Sequence, residues 1–162
     1  MLYSVTGTIH RLLPPLVTVA TSGGVGYIVS VPLPVWESLD DKKIATLITY
    51  TFVREDRLEL FGFLKETERT FFTELLNLDG IGPKTALELC SISRSLLENA
   101  VSENDGSMLT KVKGIGKKTA EKLLVDLKSM YEKHPEWFAS GSKSSASGVL
   151  DEDAVTALVA LG

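Results

Sequence analysis

The sequence predicts a multidomain chain of mixed α and β class, with a five-stranded β-barrel at its N-terminus followed by an all-α domain built on a duplicated helical hairpin. Three observations predict it. Residues 1–63 divide into five short β-rich runs separated by turn residues. From Glu66 the apolar period lengthens to that of a helix. Within this helical region a single motif occurs twice, at an offset of 34 residues.

The β-rich runs are Val5–Ile9, Leu16–Ala20, Val25–Val31, Thr46–Val53 and Leu58–Phe63. Their separators, Pro14-Pro15, Ser22-Gly23-Gly24 and Pro32/Pro34, fix or free φ where a chain reverses. Between the last two runs, Arg54-Glu55-Asp56-Arg57 reads as a charged hairpin tip. A five-strand Greek-key barrel of this size is an oligonucleotide/oligosaccharide-binding (OB) fold. Some such barrels stack bases on aromatic side chains, but Tyr27, Tyr50 and Phe52 stand at strand spacing and are expected in a core.

In the helical region Phe71, Phe72, Leu75, Leu76 and Leu78 recur at helical spacing, and helix formers dominate through Tyr131. The stretch from Ala139 to Gly148 is rich in glycine and serine and reads as a flexible linker. After it, Ala154, Val155, Leu158, Val159 and Leu161 mark an amphipathic helix. Twelve residues cannot form a core alone, so the sequence either stops inside a third domain or ends in a tail that docks on a partner. The expected organisation is a barrel at 1–63, a helical domain at 64–138, a linker at 139–150 and the start of a third domain at 151–162.

Composition narrows the function. The 162 residues are 44% hydrophobic and 23% charged, as in ordinary globular proteins. No apolar run is long enough to span a bilayer and no signal peptide opens the chain, so a cytoplasmic protein without membrane partners is expected. Cys90 is the only cysteine, which excludes an intrachain disulfide and reads as a small core residue. With only His10 and His134 beside it, no zinc cluster can be drawn, and neither a metal nor another cofactor is expected. The net charge of −4 argues against a nucleic-acid binder taken whole, but the charge is uneven. Residues 109–133 carry seven Lys+Arg against three Asp+Glu, including Lys111, Lys113, Lys117, Lys118, Lys122 and Lys128. Screening confines a local field to about 10 Å, so such a patch can hold phosphate inside an acidic protein.

The repeat carries the chemistry. Gly80-Ile81-Gly82-Pro83-Lys84-Thr85-Ala86 aligns with Gly114-Ile115-Gly116-Lys117-Lys118-Thr119-Ala120, and Leu89 with Leu123. Glycine permits positive φ and removes the Cβ, so a tight turn brings main-chain N–H groups close to a ligand. A helix opens at the next residue, where Pro83 lacks only an N–H that would be unpaired anyway. The result is a helix N-terminus with free donors and a positive dipole end, suited to one phosphate, with Lys84, Lys117 and Lys118 adding cationic charge. Ile81 and Ile115 are expected to anchor the turns in the core. None of these groups reads a base edge, so binding is expected to be independent of sequence.

Several alternatives fail on pattern. Neither copy has the Walker A spacing or follows a strand, so ATP hydrolysis is not expected. Tetratricopeptide repeats share the 34-residue period but need a Trp/Leu/Gly/Tyr pattern absent here. A nuclease or glycosylase would need a catalytic carboxylate cluster beside a hairpin, and none follows either copy.

Taken together, Gly23-Gly24-Val25-Gly26-Tyr27, Val53-Arg54-Glu55-Asp56, Gly62-Phe63, Glu68-Arg69-Thr70, the two glycine motifs through Glu121, and Ala157-Leu158-Val159-Ala160-Leu161-Gly162 resemble the RuvA family of bacterial Holliday-junction proteins in order and position. The resemblance implies an OB-like domain that assembles a homotetramer or an octamer. It also implies tandem helix-hairpin-helix motifs on the minor groove of each junction arm, and a mobile C-terminal domain that touches the RuvB motor ATPase. Such a protein is a non-catalytic accessory subunit of an ATP-dependent branch-migration helicase in recombination and repair. Its partners are four-way junction and duplex DNA, its own copies, RuvB and, as a further candidate, the RuvC resolvase. On this resemblance Gly80, Gly82, Pro83, Lys84, Gly114, Gly116, Lys117 and Lys118 bind phosphate. Glu55 and Asp56 form an acidic pin at the junction centre, with Arg54 and Arg57 as candidate strand contacts or as surface partners of the neighbouring acids. The start, Met1-Leu-Tyr-Ser-Val, departs from the Gly-Arg pair of the family.

Overall fold

Five strands, β1 (Ser4–Arg11), β2 (Leu16–Ala20), β3 (Gly26–Ser30), β4 (Ile44–Arg54) and β5 (Arg57–Phe63), close into a barrel in the computed structural model, which describes residues 1–138. The order around the barrel is β1-β2-β3-β5-β4, antiparallel except where β3 meets β5 at Ser30 and Phe61. The five β-rich runs of the sequence are these five strands. Inward positions alternate along them, and Val5, Ile9, Val17, Val19, Val29, Leu47 and Leu60 fill the interior. Gly62 passes through a tight point of the barrel interior. A Cβ there would lie 2.7 Å from Val29 Cγ1 and 3.1 Å from Leu47 Cδ1, so no larger residue fits without displacing the core.

One element was not foreseen. Between β3 and β4, Leu33–Ser38 forms a short helix, α1, whose Val35 joins the barrel core. Pro32 and Pro34 read as separators, yet Pro34 sits in the first turn, where a missing N–H breaks no helical bond. Trp36 packs on the barrel and donates its indole N–H to the carbonyls of Leu12 and Leu16, each at 3.1 Å.

The helical region comprises α2 (Glu66–Leu76), α3 (Pro83–Ser91), α4 (Arg94–Ser102) and α5 (Lys117–Lys133), with 3-10 turns at Leu109–Lys111 and Pro135–Trp137. Its core crosses the expected boundary at residue 63. Phe61 and Phe63 of β5 are buried with Phe71, Phe72 and Leu75 of α2, and Tyr50 packs its ring edge on Phe72 at 5.7 Å. Tyr50 and Phe52 therefore serve the core, as their spacing suggested; Tyr27 packs on the barrel core.

Polar contacts reinforce this joint. Glu68 reaches back to accept the N–H groups of Leu64 and Lys65, which caps α2 where it leaves β5. Arg69 donates Nε to the Thr49 carbonyl on β4 at 2.8 Å and pairs with Glu66 at 3.0 Å. Tyr3, just before β1, donates its hydroxyl to the same Glu66 at 2.7 Å. The linker and amphipathic-helix expectations for 139–162 lie outside the described residues.

Candidate nucleic-acid interface

The two glycine turns have the same construction, bond for bond. In the first, Leu78 donates to Leu75 and Ile81 to Leu78; in the second, Val112 donates to Leu109 and Ile115 to Val112, all at 3.1–3.2 Å. Ala86 N–H closes the first helical bond onto Gly82, and Ala120 onto Gly116, each at 2.8 Å. Every one of these residues is displaced by 34 from its counterpart. Gly80 and Gly114 adopt φ of 80° and 89°, the left-handed region open to glycine. Ile81 and Ile115 are buried and anchor the turns, as expected.

The second glycine of each motif has a different role from the first. Gly82 and Gly116 have extended backbones that any residue adopts, and a Cβ at either would meet nothing within 4 Å. Their lack of a side chain serves the open space in front of the helix. There, α3 and α5 begin with no side-chain cap. The N–H groups of Gly82, Lys84 and Thr85, and of Gly116, Lys117, Lys118 and Thr119, make no hydrogen bond among the described residues. Two clusters of free donors at positive helix ends, with exposed Lys84 and with exposed Lys117 and Lys118, have the chemistry to hold oxyanions.

The copies differ in strength. Lys117 replaces Pro83, adding a donor and a cation, and Lys113 replaces Asp79. Lys122, counted in the basic stretch, is paired with Asp79 at 2.7 Å. That contact holds the Asp79 carboxyl below its ordinary range and raises the Lys122 ammonium.

The charged connector is a hairpin tip, with Arg54 and Arg57 as the last cross-strand pair and Glu55-Asp56 exposed between them. The two arginines behave differently. Arg57 grips Asp56 with two bonds of 3.1 and 3.3 Å, which keeps that carboxyl ionised to lower pH than usual. Arg54 lies over the Phe52 ring at 5.1 Å. Glu55 makes no ion pair among the described residues. This tip is brought beside the first glycine turn. Phe52, Arg54, Arg57, Glu59, Gly82, Pro83, Lys84 and Thr85 line one cleft of about 360 Å³. Its three cations come from two distant segments, a juxtaposition the sequence alone did not offer.

Contacts between the two turns also escaped the sequence reading. Besides Asp79 and Lys122, Glu88 Oε2 accepts the Lys113 N–H at 3.1 Å. Extending the 34-residue comparison to every position would have paired 79 with 113 and 88 with 122, though not shown them in contact. Cys90 packs against the helical core, where burial pushes its thiol up to about 12. Among the described residues no group of three His, Cys, Asp or Glu is placed to hold a metal. No helix there is long and apolar enough to cross a membrane.

Comparison with known proteins agrees with both halves. Residues 1–62 match the family described as RuvA N terminal domain, and residues 72–129 match SAM-like Helix-hairpin-helix tandem. The chain is 40% identical to the Holliday junction branch migration complex subunit RuvA of Citrobacter koseri, covering all of this chain and 84% of that protein. The same-named protein of Nitrosomonas eutropha is 42% identical, with all of this chain and 82% of the relative covered. That of Escherichia coli O9:H4 is 38% identical, with all of this chain and 84% of the relative covered. A barrel and tandem hairpins in this order, with identity sustained along the whole sequence, show that the chain belongs to the RuvA family.

Proposed function

We propose that the chain is a non-catalytic, structure-selective DNA-binding subunit that holds a four-way Holliday junction open and directs the RuvB motor ATPase to it for branch migration. The observation that carries this reading is the doubled set of free N–H donors and lysines, built twice by the same hydrogen bonds. Relatives named as branch migration complex subunits support the junction as target.

In this reading Gly80, Gly82, Pro83 and Lys84 form one phosphate grip, and Gly114, Gly116, Lys117 and Lys118 the other. Both contact backbone and neither reads bases, so affinity is sequence-tolerant and strongly salt-dependent. Residues 1–63 assemble the homotetramer (an octamer is the alternative) and form the junction centre. Residues 64–138 grip one arm, 139–150 link, and 151–162 contact RuvB. ATP hydrolysis belongs to the motor, and resolution to a partner such as RuvC. Each protomer grips weakly, and joining protomers raises the effective concentration of the remaining grips, which favours four arms over one.

Glu55 and Asp56 act as the pin by repelling phosphates at the centre. Their charges are not equally available. Glu55 repels directly, whereas Asp56 is masked by Arg57 until a phosphate draws that guanidinium away. Strand capture at Arg57 and exposure of the second pin carboxylate are thus one exchange.

The test is competition between an immobile four-way junction and linear duplex of equal length, in gel shift at two salt concentrations. The expected result is a large junction preference that persists as salt rises. Equal affinity for both would reduce the hairpins to generic duplex grips and remove the pin assignment of Glu55 and Asp56.

A further inference from the structure

The two turns are related by an approximate two-fold axis as well as by sequence. A Cβ on Gly80 would face Thr119 at 3.9 Å, and one on Gly114 would face Thr85 at 3.5 Å; Thr85 and Thr119 are themselves 34 apart. The polar contacts obey the same reciprocity. Position 79 meets position 122, and position 113 meets position 88. Only the chemistry is inverted: Asp79 and Lys122 meet through side chains, whereas Glu88 holds the backbone N–H of Lys113.

We propose that these crossed contacts, Asp79 to Lys122 and Glu88 to the Lys113 N–H, are positioning devices that set the separation of the two phosphate-gripping turns, so that both engage one duplex at once. The inference rests on the turns being phosphate grips. Each contact joins the residue just before a positive-φ glycine to the helix opened by the other turn. A shift of one turn therefore moves the donors of the other. Glu88 in addition orients the peptide that leads into Gly114, the turn whose N–H groups from Gly116 to Thr119 have no partner among the described residues. Charge alone predicts the opposite effect for both acids, because a carboxylate beside an anion-binding face weakens binding. The structure thus retains Asp79 and Glu88 where electrostatics disfavours them.

This opposition of sign makes the proposal testable in the full chain by fluorescence anisotropy with a duplex, measured across salt. Glu88→Ala and Glu88→Gln remove the same charge, but only glutamine keeps an acceptor for the Lys113 N–H. Glu88→Ala is expected to weaken binding by about tenfold and to lower the salt slope, as a binder does when one of two linked grips disengages. Glu88→Gln is expected to restore both. Asp79→Asn is expected to weaken binding, and the exchange Asp79→Lys with Lys122→Asp to bring it back within about twofold of the parent, since reversed partners re-form the pair. Lys118→Ala runs beside them. If it weakens binding while Glu88→Ala and Asp79→Asn tighten it or leave it unchanged, the positioning role is overturned and the grips stand. If Lys118→Ala has no effect either, the grips themselves are refuted and the positioning role with them.

Discussion

Replacing Lys118 with alanine removes one exposed cation from the start of α5 and disturbs nothing else, since Lys118 has no ion pair or side-chain hydrogen bond among the described residues. A lysine that neutralises one phosphate releases about 0.9 of a counterion, so the slope of log K against log salt should fall by about 0.9 for each protomer engaged. Taken from a 1 M reference, where that release no longer contributes, the loss is about eightfold at 0.1 M salt and about threefold at 0.3 M. Lys84→Ala, its counterpart at the first turn, should give the same slope change. The assay is equilibrium anisotropy on several unrelated duplex sequences, with thermal melting as a folding control. A loss of equal size at both salt concentrations would refute the electrostatic reasoning. Losses that differ among sequences would show base reading, which the geometry of a backbone grip does not provide.

Two glycines should separate folding from binding. Gly62→Ala places a Cβ 2.7 Å from Val29 and should lower stability by about 1–3 kcal/mol in urea unfolding, the usual cost of overpacking. Gly82→Ala meets nothing within 4 Å, so it should leave the melting temperature unchanged while weakening duplex binding, because on the proposed reading its Cβ would intrude where the N–H donors receive a phosphate. At the hairpin tip, Arg57 holds the Asp56 carboxyl below its ordinary range, so this pair contributes at neutral pH and is lost as pH falls through the depressed folded value. Carbon-13 titration of the Asp56 carboxyl should therefore move up toward the ordinary aspartate range in Arg57→Ala; an unchanged midpoint would show that the pair does not persist in solution. Cys90, with a thiol pushed up to about 12, should have a thiolate fraction of about 10⁻⁴ at pH 8 and react slowly with iodoacetamide until denaturant is added. Rapid labelling of the native protein would contradict its burial.

Local signals carried much of the fold and the site. Runs of β-formers bounded by turn residues marked all five strands, and the narrow barrel fixes their register, because a shift of one residue would turn the inner face outward. The repeat announced both turns because a positive φ at Gly80 and Gly114, an apolar anchor after each, and a helix opening at Pro83 and Lys117 are demands on single residues. The charged connector was legible as a tip for the same reason. What escaped was set by contacts between distant segments. Helix α1 was hidden because prolines mark both loops and first helical turns, and only the barrel offers Val35 an interior to fill. The sharing of Phe61, Phe63 and Tyr50 with the helical core came from strands whose outer face looks, in sequence, like any half-exposed sheet. The cleft that joins Arg54 and Arg57 to Lys84 and the crossing of Asp79 and Glu88 onto the opposite turn were decided by tertiary structure alone. A sequence states which groups carry charge or accept hydrogen bonds, but which of them meet depends on how β4, α3 and α5 pack, and packing is a property of the whole chain.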